Sequence, residues 1–289
     1  MPYQSIYRSG LFDGETMIVT GGGSGIGRCV AHELAALGAH VVILGRKAEK
    51  LEAVEKEIAA EGLSVSSKVC DIRDEAGVAD TIAAILAERG RIDGLVNNAG
   101  GQFYSHLENI PTKGFEAVVR NNLTGGFNMM REVYTQWMKA NGGSIVNMIA
   151  DMWMGLPNFA HSGAARAGMY SLTQTAACEW AGSGVRVNSL ASGMVMSSGF
   201  DNYQGDAVNT IRDYVKEIPM QRFGTVAEIS AAITFLLSPG AAFITGTCLR
   251  VDGGGPNARR GWTMEPHDRS PSFEGFHLDS TPRLYRDNP

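Results

Sequence analysis

Eight consecutive residues, Thr20-Gly21-Gly22-Gly23-Ser24-Gly25-Ile26-Gly27, have the types and spacing to hold a phosphate chain with main-chain groups alone. Glycine lets the backbone turn sharply and approach a ligand closely. A helix that starts at the end of such a turn points free N–H groups and its positive dipole end at an anion. A short apolar run, Met17-Ile18-Val19, precedes the turn, and Ile26, Val30, Ala31, Leu34 and Leu37 follow it at helical spacing. Strand, glycine turn and helix together make the setting of a dinucleotide fingerprint. The expected pyrophosphate contacts are Gly21, Gly23, Ser24, Gly25, Ile26 and Gly27.

A second apolar run ends Val41-Val42-Ile43-Leu44-Gly45-Arg46-Lys47. An NAD-selective site places an acid at the end of this strand, where it binds the ribose 2′-hydroxyl. Gly45 takes that place here, and Arg46 and Lys47 follow. A carboxylate repels a 2′-phosphate, whereas a guanidinium binds it through two hydrogen bonds. The cofactor expected is therefore NADP(H); the plainer reading of Arg46 is a solvated arginine opening the next helix. Asp71, after Val69-Cys70, could accept from an adenine amino group, with Ile72 beside it. Asn97-Asn98-Ala99-Gly100 ends a fourth run. Its small residues allow close approach to a cofactor and its amides can tie strands together, although alone it could be only a turn.

The elements that must carry these residues alternate almost throughout. Strands are expected near 16–20, 40–44, 64–70, 93–97, 143–149, 184–190 and 247–251, and helices over 26–37, 47–61, 74–89, 113–140, 161–181, 206–217 and 226–237. Runs such as Gly94-Leu95-Val96 and Ser144-Ile145-Val146 do not alternate with polar residues, as befits strands buried on both faces. The class is α/β, a Rossmann-type doubly wound parallel sheet of about seven strands with helices on both faces. One domain is expected over 1–255, with an extended tail over 256–289. Ser197–Pro219, rich in Gly, Asn and Asp, would suit a mobile lid. In the tail, Trp262, Phe273, Phe276, Leu278 and Leu284 are too many apolar groups for a freely solvated segment, so it should dock on the domain or on a neighbouring subunit.

Bulk properties exclude several classes. The chain has 289 residues, 44% of them hydrophobic, and a net charge of −5, which argues against nucleic-acid binding. No apolar run approaches the roughly 20 residues of a membrane span. Met1–Gly14 lacks the pattern of a secretory signal. Cys29, Cys70, Cys178 and Cys248 are scattered and read as reduced thiols of a cytoplasmic protein, and no metal is expected. Met129, Met130, Met152 and Met154 read as core and cleft residues.

Thr20–Gly27, Asp71, Asn97–Gly100, Asn122-Leu123-Thr124-Gly125, Arg186-Val187-Asn188 and Val251-Asp252-Gly253-Gly254, in this order, resemble the short-chain dehydrogenase/reductase family over roughly residues 10–255. The resemblance implies a nicotinamide cofactor touched also by Met194 and Val195, and a homo-oligomer, tetramer or dimer. It also implies a catalytic asparagine at Asn122, whose plainer role is structural.

The family pattern has a serine and then Tyr-x-x-x-Lys, the phenol acting as acid and the lysine holding the nicotinamide ribose. Here His161-Ser162-Gly163-Ala164-Ala165-Arg166-Ala167-Gly168 stands in that place, with Ser162 at the tyrosine position and Arg166 at the lysine position. The serine region reads Met148-Ile149-Ala150-Asp151. A serine hydroxyl is too weak an acid to complete a ketone reduction, yet it can donate a hydrogen bond to a developing enolate. Arginine keeps the charge but takes no part in proton transfer. This suits hydride addition to a carbon–carbon double bond conjugated to a thioester, and His161–Gly168 is similar to the trans-2-enoyl-CoA and 2,4-dienoyl-CoA reductase branch of the family. An acyl-CoA substrate is thus implied, with Arg259-Arg260 either meeting its phosphates or simply solvated. Asp151 reads as a proton relay or a loop acid, Tyr170 as an alternative phenol or a packing residue, and His161 as a packing or capping group. A ketoreductase with another acid and a non-catalytic NADP-binding scaffold are the rival readings.

Overall fold

Strand β1 (Thr16–Thr20) is buried along its whole length, so it belongs inside a sheet covered on both faces. The computed structural model, which describes residues 2–258 and 264–286, places it there. After β1 come β2 (His40–Gly45), β3 (Val65–Val69), β4 (Gly94–Asn97), β5 (Gly143–Ala150), β6 (Val185–Ser192), β7 (Val195–Met196), β8 (Gly224–Thr225) and β9 (Cys248–Val251). Seven of them form one sheet in the order β3-β2-β1-β4-β5-β6-β9, every pairing parallel. The fold is the doubly wound Rossmann-type sheet. Alternate residues of β1 feed opposite cores: Met17 and Val19 join one cluster, and Ile18 joins the other.

The chain runs outward from β1 through β2 to β3, then returns to β4 on the other side of β1. This reversal opens a crevice at the carboxyl ends of β1 and β4, the place where such sheets bind ligands. Helices α1 (Gly25–Ala36), α2 (Ala48–Ala60) and α3 (Glu75–Arg89) connect the first four strands. Between β4 and β5 the single helix expected over 113–140 is broken. It runs as α4 (Thr112–Val119), a π-helical turn at Arg120–Thr124, α5 (Gly125–Val133), a second π turn at Tyr134–Met138, and α6 (Lys139–Asn141). Helical periodicity does not reveal a one-residue insertion of this kind. At Gly125 and Gly126 the side chains of Ile72 and Met169 fill the space a Cβ would take, so α5 lies close against its neighbours. Helices α7 (Ala160–Trp180), α8 (Asp206–Tyr214), α9 (Val226–Leu237) and α10 (Arg283–Arg286) complete the chain.

Two buried amides tie the centre together. Asn97 donates to Asn147 Oδ1 (2.9 Å), and Asn147 donates to Thr173 Oγ1 (2.9 Å), linking β4, β5 and α7. The segment 197–219 carries regular structure. It contains a 3₁₀ turn at Ser198–Asn202, α8 and a second 3₁₀ turn at Val215–Glu217, and it has its own apolar cluster of Phe200, Ile211, Ile218 and Phe223.

The described part of the tail folds back over the domain. Thr225 Oγ1 donates to the Phe273 carbonyl (2.7 Å), Arg222 donates to that of Ser270 (2.7 Å), and the Gln4 N–H donates to that of Gly275 (2.9 Å). Phe276 is buried beneath the Arg28 guanidinium, while Leu284 and Tyr285 cover the Phe200–Phe223 cluster. Arg259, Arg260 and Trp262 lie outside the described residues.

Candidate active site

The glycine turn rests on β4 through Thr20. Its hydroxyl accepts the N–H groups of Asn98 and Ala99, both at 3.0 Å, and Asn98 Nδ2 returns a bond to the Thr20 carbonyl at 2.9 Å. Gly21 (φ +68°) and Gly25 (φ +55°) adopt left-handed backbone that a side chain would strain. A Cβ on Gly27 would strike the Gly21 carbonyl and Asn98 Nδ2. Ser24 ends the turn in extended backbone, and its hydroxyl makes no capping bond to α1. Gly23 lies against Lys50, and the chain after β6 returns over Gly25, where a Cβ would sit 3.5 Å from Ser198 Oγ. Val195 in this returning segment is buried, with Met194 against the Phe200 cluster. The result is a concave, main-chain-lined cradle at a helix N-terminus, which fits a dinucleotide.

At the ribose end Arg46 and Lys47 are exposed and make no side-chain hydrogen bond or ion pair with a described residue. The Asp71 carboxylate holds the Arg73 guanidinium in a fork (Nε–Oδ1 2.8 Å, Nη2–Oδ2 2.5 Å) and accepts the Arg73 N–H at 3.1 Å. These bonds lower its pKa to about 2. Each oxygen retains a lone pair for a further donor. The Ile72 carbonyl is taken by Asn128 Nδ2 at 3.0 Å.

On the other side of the cradle stands α7. Ser162 and Arg166, four residues apart, share a helix face. The Ser162 N–H donates to His161 Nδ1 at 2.8 Å, so the neutral His161 ring carries its proton on Nε2. Ser162 Oγ and His161 Nε2 are both buried with no hydrogen-bond partner among the described residues. The His161 ring meets Phe103 edge-on, with centroids 4.3 Å apart. Burial lowers the His161 pKa below the ordinary imidazole value. Arg166 donates from Nη1 to the Met148 carbonyl (2.6 Å), and its Nη2 fills the space beside Gly100. Burial lowers its pKa to about 10, which leaves it protonated at neutral pH.

Asn122, Asp151 and Tyr170 have other neighbours. Asn122, in the first π turn, spends both ends of its amide on Gly101: it accepts the N–H at 2.8 Å and donates to the carbonyl at 3.0 Å. It therefore holds the loop that carries Gly100. Asp151 faces Asp252 and Arg250 and makes no side-chain bond to Ser162 or Arg166. Burial first, and Asp252 second, raise its pKa. The Tyr170 phenol accepts from Gln174 (3.3 Å), and its ring lies 6.3 Å from Trp153. Two turns of α7 separate it from Ser162, on the order of 12 Å.

An aromatic wall escaped the sequence reading. Tyr104 and Phe159 have centroids 5.7 Å apart, Phe159 and Tyr203 are 5.8 Å apart, and Gln102 donates to the Tyr203 hydroxyl at 2.9 Å. These residues come from three separated segments, so no local spacing announces them.

Known proteins are similar to this chain. Residues 21–255 match the family model described as enoyl-(acyl carrier protein) reductase. A probable 2,4-dienoyl-CoA reductase of Bacillus subtilis is 35% identical over 243 residues, 83% of this chain and 96% of that protein. A D-threitol dehydrogenase of Mycolicibacterium smegmatis is 34% identical over 247 residues, 84% of this chain and 93% of that protein. A solved structure, a citronellol catabolism dehydrogenase of Pseudomonas aeruginosa, is 57% identical with a TM-score of 0.79, and covers 88% of this chain and 99% of its own. The chain belongs to the short-chain dehydrogenase/reductase family, and it is an oxidoreductase of the kind that uses a nicotinamide cofactor.

Proposed function

We propose that this chain reduces the carbon–carbon double bond of an enoyl- or dienoyl-CoA with NADPH. The observation that carries the reading is the buried, unpartnered Ser162 hydroxyl one helical turn before Arg166. When bound, the cofactor supplies a hydride. Ser162 donates a hydrogen bond to the thioester oxygen, where negative charge develops as hydride reaches the β-carbon of an enoyl or the δ-carbon of a dienoyl thioester. The proton that completes the product is taken from solvent water at the carbon end of the enolate, so the oxygen needs only a hydrogen-bond donor. Arg166, held by the Met148 carbonyl, presents a fixed cation at Gly100 for the nicotinamide ribose. Asn122 acts by position, through Gly101. Gly45 in place of an acid and the unpaired Arg46 support NADPH over NADH.

The named activity of the 57% identical Pseudomonas protein favours a methyl-branched, terpenoid acyl chain over a linear one. The wall of Tyr104, Phe159 and Tyr203 offers an apolar surface for it. A cytoplasmic homo-oligomer is part of the same reading. Phe115 on α4 and Phe127 on α5 are exposed apolar groups that a second copy could cover, and among the described residues no helix is long and apolar enough to cross a membrane.

The test is NADPH oxidation with linear enoyl-CoA, dienoyl-CoA, methyl-branched enoyl-CoA and 3-ketoacyl-CoA. Turnover on the unsaturated thioesters and not on the ketone supports the proposal. Faster ketone reduction overturns it, and cofactor binding without any turnover makes the chain a scaffold.

A further inference from the structure

Beside α1, three elements bring imidazole and carboxylate groups together. His32 comes from α1, Glu57 from α2, Glu61 from the end of α2, and His277 from the tail. His277 Nε2 lies 2.7 Å from Glu61 Oε1, and His32 Nδ1 lies 3.6 Å from the same oxygen. One ligand atom from each of His32, Glu61 and His277 falls within 4.8 Å of the others. The His32 side chain is 0% exposed. Its Nδ1, together with His277 Nδ1 and Glu61 Oε2, is buried without a hydrogen-bond partner.

The charges are unbalanced in one direction. Glu57 is neutralised by the Arg28 guanidinium, which forks onto it at 2.7 and 2.9 Å. Glu61 has no Lys or Arg partner among the described residues. Glu57 Oε2 also lies 3.3 Å from His32 Nε2. A carboxylate in that position keeps the imidazole proton on Nε2 and turns the Nδ1 lone pair toward Glu61, as carboxylates do behind metal-bound histidines. Two acceptors then face each other across 3.6 Å, a separation that a metal ion with bonds of about 2.0–2.2 Å to nitrogen and oxygen can bridge. A cleft lined by Pro2, Ala60 and Leu278 opens onto the group and provides an entry path and room for a water ligand.

We propose that His32, Glu61 and His277 bind one divalent transition-metal ion, with Zn2+ or a similar borderline ion preferred by this nitrogen and oxygen donor set. Glu57 is a positioning residue for His32. The ion fastens the tail to α1 and α2, away from the crevice, so it has no part in the reduction itself.

The experiment uses the full chain, stripped with a chelator and dialysed. Zn2+ is titrated in competition with a chromophoric chelator, and Co2+ is added separately to read its visible absorption. One Zn2+ per chain at micromolar or tighter affinity is expected, with a Co2+ spectrum of a four- or five-coordinate site and a rise in Tm on adding Zn2+. His277→Ala and Glu61→Gln should each weaken binding on the order of a hundredfold and abolish the Tm rise. Glu57→Gln should weaken it about ten- to a hundredfold. His277 lies on the tail, so its replacement leaves the domain core intact even if a change at Glu61 does not. Sub-stoichiometric Zn2+, or binding unchanged in both His277→Ala and Glu61→Gln, overturns the proposal and leaves the pairing of His277 with Glu61 as the account of the cluster.

Discussion

Ser162 and His161 are joined through the backbone: the serine N–H donates to the histidine Nδ1 at 2.8 Å, and both side chains keep a buried polar atom without a protein partner. An unmade hydrogen bond inside a protein costs about 1–3 kcal/mol, which a thioester oxygen at Ser162 would recover. Ser162→Ala should therefore lower turnover on unsaturated thioesters by up to about 10²–10³ while leaving NADPH affinity nearly unchanged. Steady-state kinetics with separately measured cofactor binding check this, and unchanged turnover removes Ser162 from the mechanism.

Arg166 and Gly100 occupy adjoining space, so that any Cβ at Gly100 would collide with Nη2. The guanidinium is also held by Met148 and has little freedom to yield. Gly100→Ala should raise the Kd for cofactor and lower kcat together, as Arg166→Ala should. If Gly100→Ala binds cofactor normally, Arg166 does not hold the ribose.

Cofactor choice should rest on Arg46, which is exposed and makes no side-chain hydrogen bond or ion pair with a described residue. Arg46→Ala should weaken NADPH by about ten- to a hundredfold, equivalent to ~1.5–3 kcal/mol, because one charge-assisted contact is lost. NADH affinity should barely move. Equal losses for the two cofactors would contradict the assignment.

His161 links structure to pH. Its pKa in the folded chain lies below the ordinary 6.5, chiefly through burial. The unfolded chain therefore takes up a proton at a pH where the folded one does not. The favourable contribution of the neutral ring is complete above 6.5 and is lost as pH falls below it toward the folded value. Urea denaturation between neutral pH and the acid side of that window should show stability falling, and His161→Gln should show a shallower fall. Identical slopes would mean that other groups govern the acid limb.

Phe276 anchors the tail, 9% exposed between Tyr3, His32 and Arg28. Phe276→Ala should cost about 3 kcal/mol of tail docking and expose 264–286 to proteolysis, with little change in kcat. Limited proteolysis and thermal melting measure this. A variant as protected as the parent would show that the hydrogen bonds from Arg222 and Thr225 hold the tail without it.

What sequence alone determined were the features that repeat locally. The glycine turn between an apolar run and a helical stripe, the short apolar runs inside β1, β4 and β5, and the four-residue spacing of Ser162 and Arg166 are short-range patterns. Strand and helix geometry convert them directly into a cradle, a buried parallel sheet and a shared helix face. What only the tertiary structure decided were pairings between distant segments. Asn122 is spent on Gly101 by way of a π turn, Gln102 meets Tyr203, and His277 arrives beside His32 and Glu61. A polar side chain has several possible partners of equal chemical merit, and no periodicity ranks them. Only the packing of sheet, helices and tail selects the one within hydrogen-bonding distance, and the same packing buries Ser162.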